Sequence, residues 1–176
     1  YNTDDDTKSF DIDITPDDSV SSGSEIIITI EGKDGNGPIK CSSDLTVRVG
    51  QSHGAAVSLS KSMMSNVIPG ENDSTTITVS NQGNGEESMR ITVTLPEGWI
   101  GSLDGATISG GIGTTVLTVG SKHGSAKQNE AVLEITGPFD ALADEVSTIP
   151  ISVSSSSGGI AYDSTNASVS VAAVHG

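Results

Sequence analysis

The chain has 176 residues with 8 basic and 23 acidic side chains, and its net charge of −15 excludes nucleic acid, because phosphate binding needs clustered Lys and Arg. The same charge disfavours docking on anionic lipid, and no apolar run approaches the length of a membrane helix. With 34% hydrophobic and 3% aromatic residues, any core is built from Val, Ile, Leu and Ala beneath a surface rich in Ser, Thr, Gly and Asp. That surface suits an extracellular or cell-surface protein, and a start at Tyr1 fits removal of a signal peptide or excision from a longer chain. Cys41 is the single cysteine, so no intrachain disulfide forms, and it reads as a small buried hydrophobe.

Side chains alternate between apolar and polar from end to end, the signature of half-buried strands. In SFDIDIT, Phe10, Ile12 and Ile14 face one way and Asp11 and Asp13 the other. SEIIITIEG aligns Ile26, Ile28 and Ile30, and DLTVRV aligns Leu45, Val47 and Val49. AVSLS and STTITVS follow, then MRITVTL with Met89, Ile91, Val93 and Leu95 inward, then TTVLTV, AVLEIT, STIPISVS and ASVSVAAV. Gly-, Asn- and Asp-rich turns separate about ten or eleven strands, which predicts an all-β antiparallel sandwich. FDALADEV (139–146) is the one candidate for a helical turn.

A weak repeat lays residues 10–37 over 57–85, each part reading strand, Ser-rich loop, strand and Gly-Asn-Gly turn. A boundary near QSHGA (51–55) divides an N-terminal β segment, 1–50, from a sandwich, 51–176. About three strands are too few to close a sandwich. Residues 1–50 therefore have to pair with the larger part or with a neighbouring molecule.

The stretch VIPGENDSTTITVSNQGNGEESMRITVTLPEGW (67–99) carries Pro69, Gly70, Asn81, Gly83, Leu95, Pro96, Gly98 and Trp99. It resembles the Ig-like domains of prokaryotic surface and secreted proteins, among them the cell-adhesion-related bacterial domain and the module appended to alpha-galactosidases. In such a domain Gly70 and Gly83 suit turns of positive φ, and Asn81 bonds the turn backbone. Pro96 ends its strand because it has no N–H to donate, and Trp99 caps the open end of the core. The resemblance implies the fold and leaves the function open, since these domains serve as spacers, adhesins and polymer subunits.

No constellation points to catalysis. His53, His123 and His175 lie far apart without metal-ligand spacing, and no Ser sits in a Gly-x-Ser-x-Gly elbow between a strand and a helix. Asp4, Asp5, Asp6, Asp11 and Asp13, with Asp34 in the KDGNGP turn, form the candidate calcium set, since Ca²⁺ gathers carboxylate and carbonyl oxygens. The Asp34 turn lacks EF-hand spacing. Asn72 and Asn166 head the two glycosylation sequons, the first read in a loop and the second at a strand start.

These features lead to a non-enzymatic subunit of a cell-surface polymer, a pilus-like filament or surface layer, held together by β-strand pairing with further copies of itself. The expected donor strand is TKSFDIDIT (7–15), with Phe10, Ile12 and Ile14 filling a neighbour's groove as in donor-strand exchange. The alternative is a spacer or ligand-binding module of a larger adhesin or secreted glycosidase.

Overall fold

The computed structural model describes residues 9–33, 35–109, 111–140, 143 and 145–173. Among the described residues twelve strands make up three sheets: β1 (Glu25–Lys33), β2 (Ile39–Arg48), β3 (Ala55–Leu59), β4 (Met63–Val67), β5 (Asn72–Asn81), β6 (Glu87–Thr94), β7 (Ile100–Leu103), β8 (Ala106–Thr107), β9 (Ile112–Val119), β10 (Gln128–Thr136), β11 (Val146–Ser155) and β12 (Ala161–Val171). One five-stranded sheet has the order β3-β5-β10-β7-β8, and the other β4-β12-β11-β6-β9. They face each other as a β-sandwich, while β1 and β2 form a separate hairpin.

The alternation predicted from sequence decides which side chains fill the space between the sheets. Ile77 and Val79 of β5, Leu133 and Ile135 of β10, Met89, Ile91 and Val93 of β6, and Ile149, Ile151 and Val153 of β11 are all buried. Each aliphatic side chain removed from water in this way contributes about 1.5–3 kcal/mol. β-Branched residues dominate because they pack well on a pleated surface.

The stretch after β6 turns as its sequence requires. Trp99 N–H donates to Pro96 O at 3.2 Å, with Gly98 at φ 80°, the left-handed conformation a type II turn needs at that position. Trp99 is buried at the end of the core, as expected, with the backbone of Gly137 beside its ring.

Several expectations change. Described residues 9–15 form no strand, because alternation without a paired edge leaves the backbone groups unmatched. β1 pairs with β2, whereas the strands that the repeat sets against them, β5 and β6, lie in opposite sheets. Not every pair is antiparallel: after Leu59 the chain crosses between sheets, so β4 runs parallel to β12. Gly70 has the expected positive φ, but Gly83 does not; a Cβ there would lie 2.2 Å from Ser52 O, so close approach is what demands glycine. Phe139 and Asp140 sit in a turn with no helix among the described residues of 139–146. Cys41 is exposed on β2, because a two-stranded hairpin has no interior to bury it in.

Candidate assembly surface

The hairpin meets the sandwich at one small joint organised by Asn84, in the Gly-Asn-Gly turn between β5 and β6. Asn84 Nδ2 donates to Gly50 O (3.0 Å) and Val20 O (3.3 Å), and Asn84 Oδ1 accepts from Ser52 N–H (2.8 Å). The Asn84 backbone adds two bonds, its N–H to Ser52 Oγ and its carbonyl accepting Ser22 N–H. Asn81 holds that turn from beneath: its Nδ2 donates to Gly85 O and Val119 O, and its Oδ1 accepts from Gly83 N–H. The expected turn-bonding role of Asn81 is thus observed.

A salt bridge closes the joint on one side, with Lys122 Nζ 2.7 Å from Asp18 Oδ2. The hydrogen bond from Lys122 holds the Asp18 carboxyl below its ordinary value of 3.8. A carboxyl depressed on folding stabilises the joint above its unfolded pKa and loses that contribution as pH falls through the lower, folded value. Acidification below about pH 4 is therefore expected to loosen the hairpin before the sandwich. Amide exchange followed against pH checks this, with earlier protection loss at Ser22 and Gly23 than along β5 as the expected result.

The N-terminal part has little interior of its own. Among described residues 9–50, Val49 at the joint is the only buried apolar side chain. Phe10 is 66% exposed and Ile12 42%, and Ile14 is half-buried, in a segment that pairs with no strand. On the hairpin, Ile26, Ile28 and Ile30 lie opposite Val47, Leu45 and Ser43, so the aliphatic residues gather on one face. Ile26, Ile28, Ile30 and Val47 are half-buried, while Leu45 is exposed.

Sheet edges are the other assembly surfaces, since an edge strand presents unpaired backbone groups. On β3, the Asp163 carboxylate takes Val57 N–H at 2.9 Å. β4 is five residues long and broken by Asn66 at φ 58°. Both are blunted edges. By contrast β9 (IGTTVLTV) carries no charge or proline, and Ile112 and Val116 stand exposed on its outer face. Its ends are held by the Ser109–Ile112 bridge and by Asn129 Nδ2 donating to Thr118 O, leaving the middle of the strand open.

The other sequence-predicted site residues scatter. Asp11 and Asp13 are exposed, and Asp4, Asp5, Asp6 and Asp34 lie outside the described residues. Among the described residues no three His, Cys, Asp or Glu side chains converge as metal ligands. Asn72 is exposed as the first residue of β5, where Thr136 Oγ1 donates to its Oδ1, and not in a loop. Asn166 is exposed within β12 opposite Pro150, and not at the strand start. His53 Nδ1 lies 3.1 Å from Glu87 Oε2, His123 is exposed, and His175 lies outside the described residues. Tyr162 O–H donates to the other Glu87 oxygen; burial, reinforced by that bond, pushes the phenol pKa up. A recess of about 370 Å³ is lined by Trp99, Glu97, Asp140, Glu145 and Ser147. No described helix is long and apolar enough to cross a membrane.

The Asn84 joint is what sequence reasoning missed. Its only signal was the Gly-Asn-Gly tripeptide, which reads equally well as an ordinary turn.

No protein-family model matches the sequence, and a search of curated proteins finds no match. Solved structures resemble the fold at low identity. The major pilin subunit BcpA of Bacillus cereus aligns at 13% identity and TM-score 0.44 over 83% of this chain. The alignment spans about half of that pilin, 48% of its length. Domains 4 and 5 of the S-layer protein SbsC align at 12% and 0.39, over 88% of this chain and 74% of theirs. A PapD-like domain of human CEP192 gives 9% and 0.39, over 68% and 86%. At TM-scores below 0.5 the likenesses carry no argument, and what the chain itself shows is an all-β sandwich of two five-stranded sheets with an appended hairpin.

Proposed function

We propose that the chain is a non-enzymatic structural subunit of an extracellular assembly, joined to further copies of itself through β-strand pairing. One observation carries the reading: the first fifty residues are patterned for strands, yet among those described only Val49 is buried. A segment with apolar alternation and no partner in its own molecule is suited to complete a neighbour's sheet. The donor is the segment 7–15, of which Thr7 and Lys8 lie outside the described residues, with Phe10, Ile12 and Ile14 on one side and Asp11 and Asp13 left to solvent. The middle of β9 is the acceptor, as it is the least guarded long edge of the sandwich. Such a head-to-tail contact does not close on itself and so builds a fibre or a layer. Asn72 and Asn166, both exposed, are where glycans would attach on such a surface.

Electron microscopy of assembled material tests this. Deleting residues 1–15 is expected to abolish filaments or layers. Val116→Lys, which places a charge on the β9 edge, is expected to weaken them severely. Normal filaments from the deletion variant would refute strand donation. A full-length chain that stays monomeric at every concentration would favour the spacer module of a larger protein.

A further inference from the structure

We propose that the apolar face of the β1–β2 hairpin is a second self-association surface, which packs against the same face of another copy. The proposal deepens the self-assembly reading, but it uses different residues and a contact of different symmetry. Ile26, Ile28 and Ile30 of β1 stand opposite Val47, Leu45 and Ser43 of β2, and no other strand covers them among the described residues. An isolated two-stranded hairpin is at best marginally stable in water, whereas one backed by a second layer is not. Among the described residues this hairpin is tied to the sandwich through the Asn84 joint at its base and the Asp18–Lys122 salt bridge beside it.

The two faces of the hairpin differ in a way that selects which one is covered. On the outer face, Arg48 Nε lies 3.9 Å from Glu25, Lys33 Nζ lies 3.1 Å from Glu31, and Thr29 Oγ1 donates to Asp44 at 2.7 Å. Those polar groups already have partners and can stay in water. The inner face has aliphatic side chains only, apart from Ser43 and Cys41, whose Sγ lies over Gly32.

Charge selects the occupant. The strands carry Glu25, Glu31 and Asp44 against Lys33, Lys40 and Arg48, so β1 and β2 are together neutral in a chain of net charge −15. Elsewhere two copies of this acidic protein repel each other. At the hairpin they do not, and a basic partner would gain nothing by docking there instead of on the acidic sandwich. Two such faces stacked about 10 Å apart make a small four-stranded sandwich. The contact is isologous, so each copy gives and receives the same residues. It is also small beside the roughly 800 Å² per partner of a standard interface, so the dimer is weak and is reinforced by avidity within an assembly.

Analytical ultracentrifugation of the full chain across a concentration series tests the contact. Wild type is expected to self-associate reversibly, and the chain lacking residues 1–15 to stop at the dimer. Leu45→Asp on the inner face is expected to weaken the dimer by about tenfold or more, since it buries an unpaired carboxylate. Ile27→Asp makes the same change on the outer face, and it is expected to leave dimerisation within about twofold of wild type. Maleimide labelling of Cys41 gives a second readout, slowing with concentration in wild type and staying fast in Leu45→Asp. Equal dimerisation by wild type and Leu45→Asp would overturn the proposal, as would equal damage by both variants. Slow labelling in a strict monomer would also overturn it, by showing that the chain covers its own face. Deletion of residues 1–15 should leave this dimer intact. Loss of the dimer in the deletion, with Leu45→Asp unaffected, would leave strand donation standing and remove the hairpin contact.

Discussion

Replacing Asn81 with alanine is expected to cost the sandwich about 3–5 kcal/mol, a large part of the 5–15 kcal/mol that holds a typical domain together. The side chain is 2% exposed and satisfies three backbone groups at once: the Gly83 N–H and the carbonyls of Gly85 and Val119. Truncation strands a buried donor and a buried acceptor, each costing about 1–3 kcal/mol. It also opens a gap between the end of β5 and the end of β9. In a domain of this size the melting temperature should fall by about 10 °C or more. Asn81→Asp keeps the acceptor for Gly83 but turns a carboxylate toward two carbonyls, and it should be no better than alanine. Thermal melts followed by circular dichroism read both, and a drop under about 2 °C would show the network to be dispensable.

Asn84→Ala, three residues along the same turn, is expected to give the opposite pattern. Its side-chain bonds run to Val20, Gly50 and Ser52, all at the joint and none within the sandwich. Their loss is worth about 2 kcal/mol locally, and roughly thirtyfold faster amide exchange at Ser52, Ser22 and Gly23 should report it. The melting temperature of the sandwich should hardly move, because water replaces the lost partners at this accessible site. Hairpin amides that remain as protected as in wild type would show that Asn84 is not the clamp. The contrast between two asparagines of one turn separates a network inside the core from one between two units.

Much of the sandwich was legible along the chain. Ile77, Val79, Met89, Ile91, Val93, Leu133, Ile149, Ile151 and Val153 all face inward as their alternation predicts. Pro96, Gly98 and Trp99 turn and cap as their chemistry requires. The assembly surface was less legible. Phe10, Ile12 and Ile14 were visible as an apolar row, but the row makes no strand in its own molecule. Cys41 reads as buried from residue type alone, and its exposure follows from a hairpin that has only one layer.

Local pattern determined the all-β class, the inward-facing residues of the sandwich strands and the turns, because the pleat sets side-chain direction residue by residue. The tertiary structure decided which strands lie side by side. It sent β5 and β6 into opposite sheets, paired β1 with β2, turned β4 parallel to β12 and made Asn84 a clamp. Backbone hydrogen bonding is nearly blind to side-chain identity, so pairing is settled by how whole faces pack, and that is information no single segment carries.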